Sequence, residues 1–373
     1  MSEVVKYLRD HSFDDLKNEF GIKVKVYDTG LVTLNYDQIE SPRFHQIVDE
    51  CRGLILHKDT KEIVSRSFKR FYNVGEGDQN KIDQIDLNEY VVYEKADGSI
   101  IKVYSHNDHW EISTRGTAYA ESENNISGKT FRAMVLDCLG YSEEEFQCFA
   151  AKNLHSGFTY VFELIGPLNR VVTPYQKAEL VLLGVVSNED GSEAYTDTLS
   201  EIGTMLRDEN KAIRNPKLYR ISNQQELDDV LKNLEGLQEG FVIHNPNTGH
   251  RVKMKNIQYL KAHRLRGESG IPSKNDIAEL VVMNETEEIL AYFPEFTPIF
   301  DEIKNVYSRL TNDAISVYNQ YRDIESQKEF ALAVKGHPLS SCMFEARAKN
   351  VGIAHAISNA KINFLVKTIL ANV

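Results

Sequence analysis

Residues 93–99 read Tyr-Glu-Lys-Ala-Asp-Gly-Ser and stand between two apolar, β-branched runs. Val91 and Val92 lead into the stretch, and Ile-Ile-Lys-Val-Tyr at 100–104 leads away from it. An Asp-Gly pair between such runs predicts a hairpin or a corner where two strands meet. A lysine held there and partly buried beside other cations loses its proton more readily, and a neutral amine is a nucleophile. The common alternative is a surface lysine on a turn, because short motifs often match by accident.

Composition sets the broad class of the protein. A chain of 373 residues with 42% hydrophobic residues is long enough for two or three packed domains. It contains no apolar run near the ~20 residues that span a membrane, and its first residues do not resemble a signal peptide. The four scattered cysteines form no zinc spacing, which favours a reduced, cytoplasmic setting. The net charge of −12 argues against a nonspecific nucleic-acid coat, although it permits a local basic groove.

A basic residue precedes a short apolar run near residue 50. Arg52 stands before Leu-Ile-Leu at 54–56, which is typical of a buried strand. An arginine at the mouth of a strand can clamp a phosphate or carboxylate, or it can form a structural ion pair. Residues 68–73 read Phe-Lys-Arg-Phe-Tyr-Asn, which offers cations for phosphates and rings for a base. An ordinary edge strand with its rings in the core is the commoner explanation of that mixture.

Later stretches place further charges on predicted strands. Residues 158–166 form an apolar run with one carboxylate, Glu163, and burial of that charge is costly unless it is paired or bound to a metal or ligand. On an edge strand it would simply face outward. An acid and a glycine open the strand at 239–243. Residues 251–255 alternate as Arg-Val-Lys-Met-Lys, so three cations share one strand face and repel unless an anion lies opposite or the face is solvated.

The sequence pattern changes near residue 265. Apolar residues recur at helical spacing from Ile303 to Tyr321, and helix-like sequence continues beyond them with breaks near Gly336 and Gly352. The sequence therefore predicts a strand-rich domain over residues 1–265 and a helical domain over residues 266–373.

In order, these stretches make up a set of short motifs: Arg-Gly at 52–53, Lys-x-Asp-Gly at 95–98, Phe-Glu at 162–163, Glu-Gly at 239–240 and Lys-x-Lys at 253–255. The set resembles that of the lysine nucleotidyltransferases, which comprise DNA ligases, RNA ligases and mRNA capping enzymes. One such motif is weak, whereas five in the same order and with similar spacing are specific. The resemblance implies an α+β fold, with an antiparallel-rich nucleotidyltransferase (adenylylation) domain followed by a small all-helical C-terminal domain.

Within that superfamily the chain is most similar to the RNA ligase 1 family of T-even bacteriophages. The similarity covers nearly the whole chain and is clearest from residue 50 to residue 260. It rests on Glu50 to Gly53, Ser65-Arg66, Arg70 to Asn73, Phe162-Glu163, Asn169 to Val172 and the small helical C-terminus.

The resemblance implies a role for each matching residue. Lys95 would be the catalytic nucleophile that takes AMP from ATP. The implied ATP-binding residues are Tyr36, Arg52, Arg70, Tyr72, Gly98, Glu163, Lys253 and Lys255. Further implied site residues are Arg115, Glu239 and Tyr259, and the implied metal ligands are Glu163, Glu239 and Glu287.

Some of these matches depart from the family pattern. Arg70 stands where the family usually has lysine, which keeps the charge but changes the geometry. Arg115 stands where lysine is usual in a Lys-Gly-Ser stretch. The N-terminal tyrosine that contacts ATP in the relatives aligns with either Tyr36 or Leu34.

The implied activity is ATP-dependent RNA ligation. Lys95 would attack ATP and form lysyl-AMP, AMP would pass to an RNA 5′-phosphate, and a 3′-hydroxyl would displace AMP. Mg²⁺, or Mn²⁺ in its place, would assist, and Lys253 and Lys255 with the metal would disfavour protonated Lys95. The expected partners are ATP and RNA ends, single-stranded or from a cleaved tRNA. The expected protein is a monomer without membrane contact, in the infected host cytoplasm if phage-encoded.

Other activities share these motifs and stay open. A nick-sealing ligase of the second RNA-ligase type or a DNA ligase would use the same lysine. A capping enzyme would use GTP instead, and a non-catalytic nucleotide-binding module would need no intact Lys95. No pattern of an OB-type barrel follows residue 260, which argues against a DNA ligase and a capping enzyme.

Overall fold

The computed structural model describes residues 2–37, 40–234, 237–256, 259, 272–284, 286, 290 and 294–373. Contacts between residues divide the chain into two compact units, Met1–Leu260 and Lys261–Val373. The predicted domain boundary between residues 265 and 266 lies outside the described residues and stays a prediction.

The first unit is built from three sheets with helices against them. Its strands, in chain order, are β1 (Ile22–Val26), β2 (Leu31–Tyr36), β3 (Arg52–His57), β4 (Ile63–Ser65), β5 (Tyr72–Asn73), β6 (Val91–Glu94), β7 (Ser99–His106), β8 (His109–Thr114), β9 (Phe158–Ile165), β10 (Glu179–Ser187), β11 (Ile213–Arg214), β12 (Leu218–Tyr219), β13 (Gly240–His244) and β14 (Arg251–Lys255). Its helices are α1 (Glu3–Tyr7), α2 (Phe13–Phe20), α3 (Gln46–Glu50), α4 (Phe131–Leu139), α5 (Glu143–Asn153), α6 (Thr196–Glu209) and α7 (Gln224–Lys232). Short 3₁₀ turns lie at Asp78–Asn80, Ile82–Gln84, Leu87–Glu89 and Pro167–Asn169.

The three sheets are mainly antiparallel. Their strand orders are β1-β2-β3-β4, β11-β10-β9-β7-β8 and β12-β6-β13-β14-β5. Only the short pairs β10 with β11 and β14 with β5 run parallel among the described strands. The antiparallel-rich α+β class predicted from the sequence is confirmed.

Local capping interactions define the first part of the chain. The Ser12 hydroxyl accepts a hydrogen bond from the Asp15 N–H at the start of α2, and Gly21 ends the helix in the left-handed conformation. β1 and β2 then form a hairpin, with Ile22 opposite Tyr36.

The stretch around Lys95 is a corner between two sheets, so the corner is confirmed and the hairpin is wrong. β6 leads into it from the third sheet, and β7 leads away in the second sheet. The Lys95 N–H donates to the Gly240 carbonyl oxygen on β13 (2.8 Å). Gly98 is required at the other end, because a Cβ there would lie 2.1 Å from the Leu164 carbonyl oxygen on β9.

A buried lysine connects the second sheet to the first. Lys102 on β7 has no exposed surface, and its ammonium donates to the Gly53 carbonyl oxygen and to Ser65 Oγ (3.3 Å). These two acceptors lie on β3 and β4, next to Arg52. Burial, with a smaller contribution from the charge of Arg52, lowers the pKa of Lys102 to about 7.

The protein is expected to become more resistant to unfolding as the pH rises from about 7 to about 9. Lysine in an unfolded chain holds its proton up to about pH 10. Folded Lys102 gives its proton up above about pH 7, so the unfolded state binds more protons in this window and folding gains with pH. Melting temperature is measured across this range for the wild type and Lys102→Met. The variant should show a flatter rise than the wild type.

The exposed Lys177→Met variant is the control for Lys102→Met, because the Lys177 side chain is 76% exposed. It should keep the wild-type slope. Equal slopes in the Lys102→Met and wild-type proteins would contradict a titrating buried lysine.

The described residues of the second unit form helices and no strand. The helices are α8 (Lys274–Val282), α9 (Thr297–Tyr321), α10 (Gln327–Val334), α11 (Ser340–Lys349), α12 (Ile353–Ser358) and α13 (Ile362–Leu370), with a 3₁₀ turn at Pro294–Phe296. The predicted periodic positions of α9, including Ile303, Val306 and Leu310, are buried. Among the described residues, the helices are too short or too polar for any of them to cross a membrane.

Candidate active site

The corner residues after β6 are fixed by a buried carboxylate. Asp97 is 2% exposed and accepts hydrogen bonds from the N–H groups of Val172 (2.8 Å) and Thr173 (2.6 Å) and from the Tyr259 hydroxyl (2.7 Å). Asp97 thus ties the corner to chain segments about 75 and 160 residues later. Its role was missed by the sequence analysis, although an acid beside the corner glycine was the available signal. Tyr259, a predicted site residue, therefore supports the corner.

Glu239 bridges two of the predicted lysines. The Lys95 Nζ lies 2.6 Å from Glu239 Oε2, and the Lys255 Nζ lies 3.1 Å from Glu239 Oε1. The Glu239 side chain is only 5% exposed, and Lys95 and Lys255 are about one fifth exposed. Gly240 permits the close approach of β13 to β14, because a Cβ at this position would lie 2.0 Å from the Met254 carbonyl oxygen. The anion that the strand face of Lys255 requires is therefore Glu239.

The charge state of Lys95 differs from the sequence expectation. Burial opposes its charged form, but the negative charges of Glu239, Glu163 and Asp97 outweigh burial and raise the pKa of Lys95. Lys253 and Lys255 thus do not lower this pKa as expected, because the acids outweigh them, and the additional effect expected of a metal stays a prediction. In the same cluster, burial, Lys95 and Lys255 lower the pKa of Lys253 to about 8.

Glu163 lies on a central strand beside the corner. β9 pairs with β7 and β10, and Glu163 is opposite Ile100 and Val181, so the alternative of an outward-facing acid on an edge strand is wrong. Its Oε1 accepts a hydrogen bond from the Gly98 N–H (3.2 Å). Burial, partly offset by Lys95, raises the pKa of Glu163 to about 7.

A cavity of about 210 Å³ next to Lys95 gathers most of the predicted cations. Its lining includes one carboxylate, Glu76, and six cations: Arg43, Arg52, Arg70, Lys95, Arg115 and Lys253. A concave site with this excess of positive charge attracts polyphosphate despite the net charge of −12. We refer to it as the cationic cavity. Arg52 does not form the alternative structural ion pair at 4 Å or less with any acid among the described residues.

Tyr36 lies in the cationic cavity and Leu34 does not. The Tyr36 ring is stacked by the guanidinium groups of Arg70 (4.2 Å) and Arg115 (5.4 Å). Leu34 is fully buried in the core of the first sheet. Of the two alternatives, Tyr36 is therefore the one that lines this cavity, and its contact with ATP stays a prediction.

Tyr72 lines the same cavity, but its hydroxyl is already engaged. It donates to Asp49 Oδ1 and accepts from the Phe44 N–H (2.7 Å). The neighbouring Phe71 carries Arg52 on its ring (5.1 Å) and was not assigned a role from the sequence. Aromatic residues between cations in the 68–73 stretch were the signal for both rings.

A second cavity beside Lys95 is smaller, about 80 Å³, and mainly apolar. Leu183, Val242 and Phe68 line it together with Lys95 and Glu163. We refer to it as the apolar cavity. Lys95 thus lines both cavities, one mainly apolar and the other rich in cations. Leu183 and Val242 had no sequence signal beyond their place in apolar strands.

The carboxylates near Lys95 suit a divalent metal ion that is also coordinated by phosphate. Within the described ranges, no three His, Cys, Asp or Glu side chains are grouped as a metal cage. Mg²⁺ commonly takes one or two protein carboxylates, with phosphate oxygens and water filling the other positions. Glu163 and Glu239 supply two carboxylates close enough for the charge of Glu239 to raise the pKa of Glu163. The third predicted ligand, Glu287, lies outside the described residues.

Comparison with known proteins gives relatives described as RNA ligases. A protein of Autographa californica nuclear polyhedrosis virus, described as "Putative bifunctional polynucleotide kinase/RNA ligase", is 34% identical over 84% of this chain and 45% of its own length. The RNA ligase of Rhodothermus phage RM378 is 27% identical over 74% of this chain and 73% of its own. The chain thus spans less than half of the viral relative.

Among solved structures, Naegleria gruberi RNA ligase with pyrophosphate matches at a TM-score of 0.40 and 18% identity. The match covers 53% of this chain and 58% of the ligase. The model of the RNA ligase family matches residues 50–259, which include the strands and loops that carry Arg52, Lys95, Glu163, Glu239 and Lys253. Because that match covers more than half of the chain, the protein belongs to this family of RNA ligases.

Proposed function

We propose that the protein is an ATP-dependent RNA ligase that joins RNA 5′-phosphate and 3′-hydroxyl ends through lysyl-AMP and RNA-adenylate intermediates. The observation that carries this proposal is the position of Lys95, whose ammonium contacts Glu239 where the apolar and cationic cavities meet. Membership of the RNA ligase family supports it.

The two cavities define how ATP would bind. The base would enter the apolar cavity between Leu183 and Val242, and the phosphates would enter the cationic cavity. The α-phosphate would then lie at Lys95, which lines both. Tyr36, Arg52, Arg70 and Arg115 would hold the other phosphates.

In the first step Lys95 Nζ forms a bond to the α-phosphorus, and the bond from that phosphorus to the β-bridging oxygen breaks. Pyrophosphate leaves with the electron pair of that bond. The amine must first lose a proton, and Glu239 Oε2 at 2.6 Å is placed to accept it. The cations Arg52, Arg70, Lys253 and Lys255 would stabilise charge on the departing phosphates.

A divalent metal is part of this proposal, because phosphate charge builds up in each step. Solved structures of the Naegleria ligase contain Mn with ATP or AMP. Glu163 and Glu239 would hold Mg²⁺ or Mn²⁺ here. Such an ion would neutralise phosphate charge, and it would offset the negative charge of the two carboxylates that raises the pKa of Lys95.

The remaining steps transfer AMP to RNA and seal the strand. A 5′-phosphate oxygen of RNA attacks the phosphorus of lysyl-AMP, and the N–P bond breaks. A 3′-hydroxyl then attacks the 5′-phosphate and AMP leaves. Repair of a cleaved tRNA by a cytoplasmic monomer is the proposed setting, by analogy with the phage family alone.

Incubation of the full chain with α-labelled ATP or GTP and Mg²⁺ tests this function. We expect stable labelling from ATP and weak or no labelling from GTP, followed by joining of a 5′-phosphorylated single-stranded RNA. Preferential labelling from GTP would indicate a capping activity. Sealing of nicked duplexes in preference to single strands would indicate a nick-sealing ligase, and no labelling would indicate a binding module.

A further inference from the structure

A third cavity lies beside the cationic cavity, and most of its lining is outside the proposed ATP site. Its volume is about 600 Å³, which is large enough for a nucleotide. It shares Arg70, Phe71 and Tyr72 with the cationic cavity, but Lys95 is not in its lining. We refer to it as the outer cavity. Four cations, Arg66, Lys69, Arg70 and Arg251, and four carboxylates, Asp49, Glu50, Asp190 and Glu193, line it.

The carboxylates of the outer cavity are occupied by the protein itself. Glu193 accepts hydrogen bonds from both terminal guanidinium nitrogens of Arg251, Nη1 and Nη2. Asp190 accepts from the N–H and hydroxyl of Ser192 within its own turn (2.9 and 2.8 Å). Asp190 and Glu193 therefore have partners within the protein and do not require a bound cation.

The other two carboxylates are occupied as well. Glu50 accepts from the Ser2 hydroxyl (2.6 Å) and the Val4 N–H (3.2 Å), and Asp49 accepts from the Tyr72 hydroxyl. The acceptor oxygens of this lining are largely used within the fold.

In contrast to these carboxylates, Arg66 and Arg70 have polar atoms that the described part of the fold leaves without a partner. Arg66 Nε and Nη2 and Arg70 Nη1 are buried and have no hydrogen-bond acceptor among the described residues. Arg66 is held in place, because its backbone N–H donates to Thr159 Oγ1 (3.3 Å) and its guanidinium lies against Gly191. Burial lowers the pKa of Arg66, and the charges of Glu50 and Asp190 offset only part of this effect. A buried donor without an acceptor destabilises the folded state, and a charged donor does so more strongly.

We propose that Arg66 forms a subsite in the outer cavity for a phosphate of the RNA strand, next to Arg70 and separate from the phosphates of ATP. A phosphate offers several acceptor oxygens in the geometry that a guanidinium fork matches. The subsite adjoins the cationic cavity through Arg70, so a strand whose end reacts at Lys95 can reach it. This proposal rests on the proposed function and names residues that would position its RNA substrate.

The test separates RNA binding from ATP binding in Arg66→Ala and Arg66→Lys. We expect unchanged KM for ATP and an unchanged rate of lysyl-AMP formation in both. KM of Arg66→Ala for a 5′-phosphorylated RNA should rise about 10–100-fold, since a charge-assisted hydrogen bond contributes about 1.5–3 kcal/mol. Arg66→Lys should recover part of that loss. The slope of log KM against log salt should shrink by about 0.7 in Arg66→Ala, as for one lost phosphate contact with a single strand.

Arg207→Ala is the matched control, since Arg207 is exposed on α6 and outside the cavity lining. It should behave as the wild type. If Arg66→Ala fails to fold, Arg66→Gln, which retains part of the side-chain length, takes its place in the same assays.

The outcomes against the proposal are distinct. A raised KM for ATP with unchanged KM for RNA would assign the outer cavity to the ATP phosphates. Unchanged values for both would make Arg66 a structural cation. Failure of the wild type to form lysyl-AMP would overturn the proposed function, while RNA binding measured directly by fluorescence anisotropy would still test Arg66.

Discussion

Lys95→Ala is expected to abolish covalent attachment of AMP. The amine of Lys95 is the nucleophile of the proposed first step, and the methyl group of alanine offers no substitute. Lys95→Arg should fail equally, because a guanidinium stays protonated and is a poor nucleophile. Labelled AMP on the purified protein is measured after incubation with ATP and Mg²⁺. Folding should survive both changes, since Glu239 keeps its contact with Lys255.

A second substrate distinguishes loss of the nucleophile from general damage. RNA that already carries a 5′-adenylate no longer needs Lys95, so the alanine variant should still join it to a 3′-hydroxyl. The exposed Lys177→Ala variant is the control for lysine removal and should label as the wild type. A stable AMP adduct at wild-type level on the Lys95→Ala protein would exclude Lys95 as the nucleophile.

The strand corner could be predicted because its causes are local. The Asp-Gly pair, the flanking β-branched runs and the alternation of 251–255 are all properties of neighbouring residues. Sequence alone left hairpin and corner open, because the choice depends on which sheet each flanking strand joins. That choice is made by β13, more than a hundred residues later, which pairs with β6.

The charge state of Lys95 could not be predicted in the same way. It depends on Glu239, which is 144 residues away along the chain and becomes a contact only when β6 pairs with β13. The pKa expected for Lys95 took into account the cations near it but not the acids. Coulomb interactions depend on distance in the folded chain, so motif spacing alone could not set their balance.

The cavities depend on the packing of whole sheets. Leu183 and Val242 look like any apolar strand residues, yet they line the same cavity as Lys95. Arg66 was noted only within a family motif. That its buried donors lack an acceptor in the described part of the chain depends on packing, with Gly191 lying against its guanidinium. The sequence thus predicted the reacting groups better than the surfaces that would hold their substrates.

Lys253 and Lys255 have unequal surroundings. The sequence left open whether an anion lies opposite them, and Lys255 has Glu239 at 3.1 Å. Among the described residues, Lys253 has no carboxylate within 4 Å and lies 5.8 Å from the Phe71 ring. Its pKa is lowered to about 8 by burial and by Lys95 and Lys255.

Lys253→Met is therefore expected to slow lysyl-AMP formation while leaving the melting temperature at pH 7 unchanged or higher. The folded state disfavours charged Lys253, and this penalty is fully present below pH 8, so an apolar side chain of similar length removes it. With ATP bound, the same charge faces phosphates whose charge grows as pyrophosphate leaves. Loss of one such contact typically slows the reaction by about a hundredfold or more.

Lys255→Met is the comparison variant. It should also lower the rate of lysyl-AMP formation, but the protein should lose a little stability because its ion pair with Glu239 is removed. Rate and melting temperature are measured on the same samples. If Lys253→Met melts earlier than Lys255→Met, and its rate loss follows the unfolded fraction, Lys253 supports the fold and does not serve the phosphates.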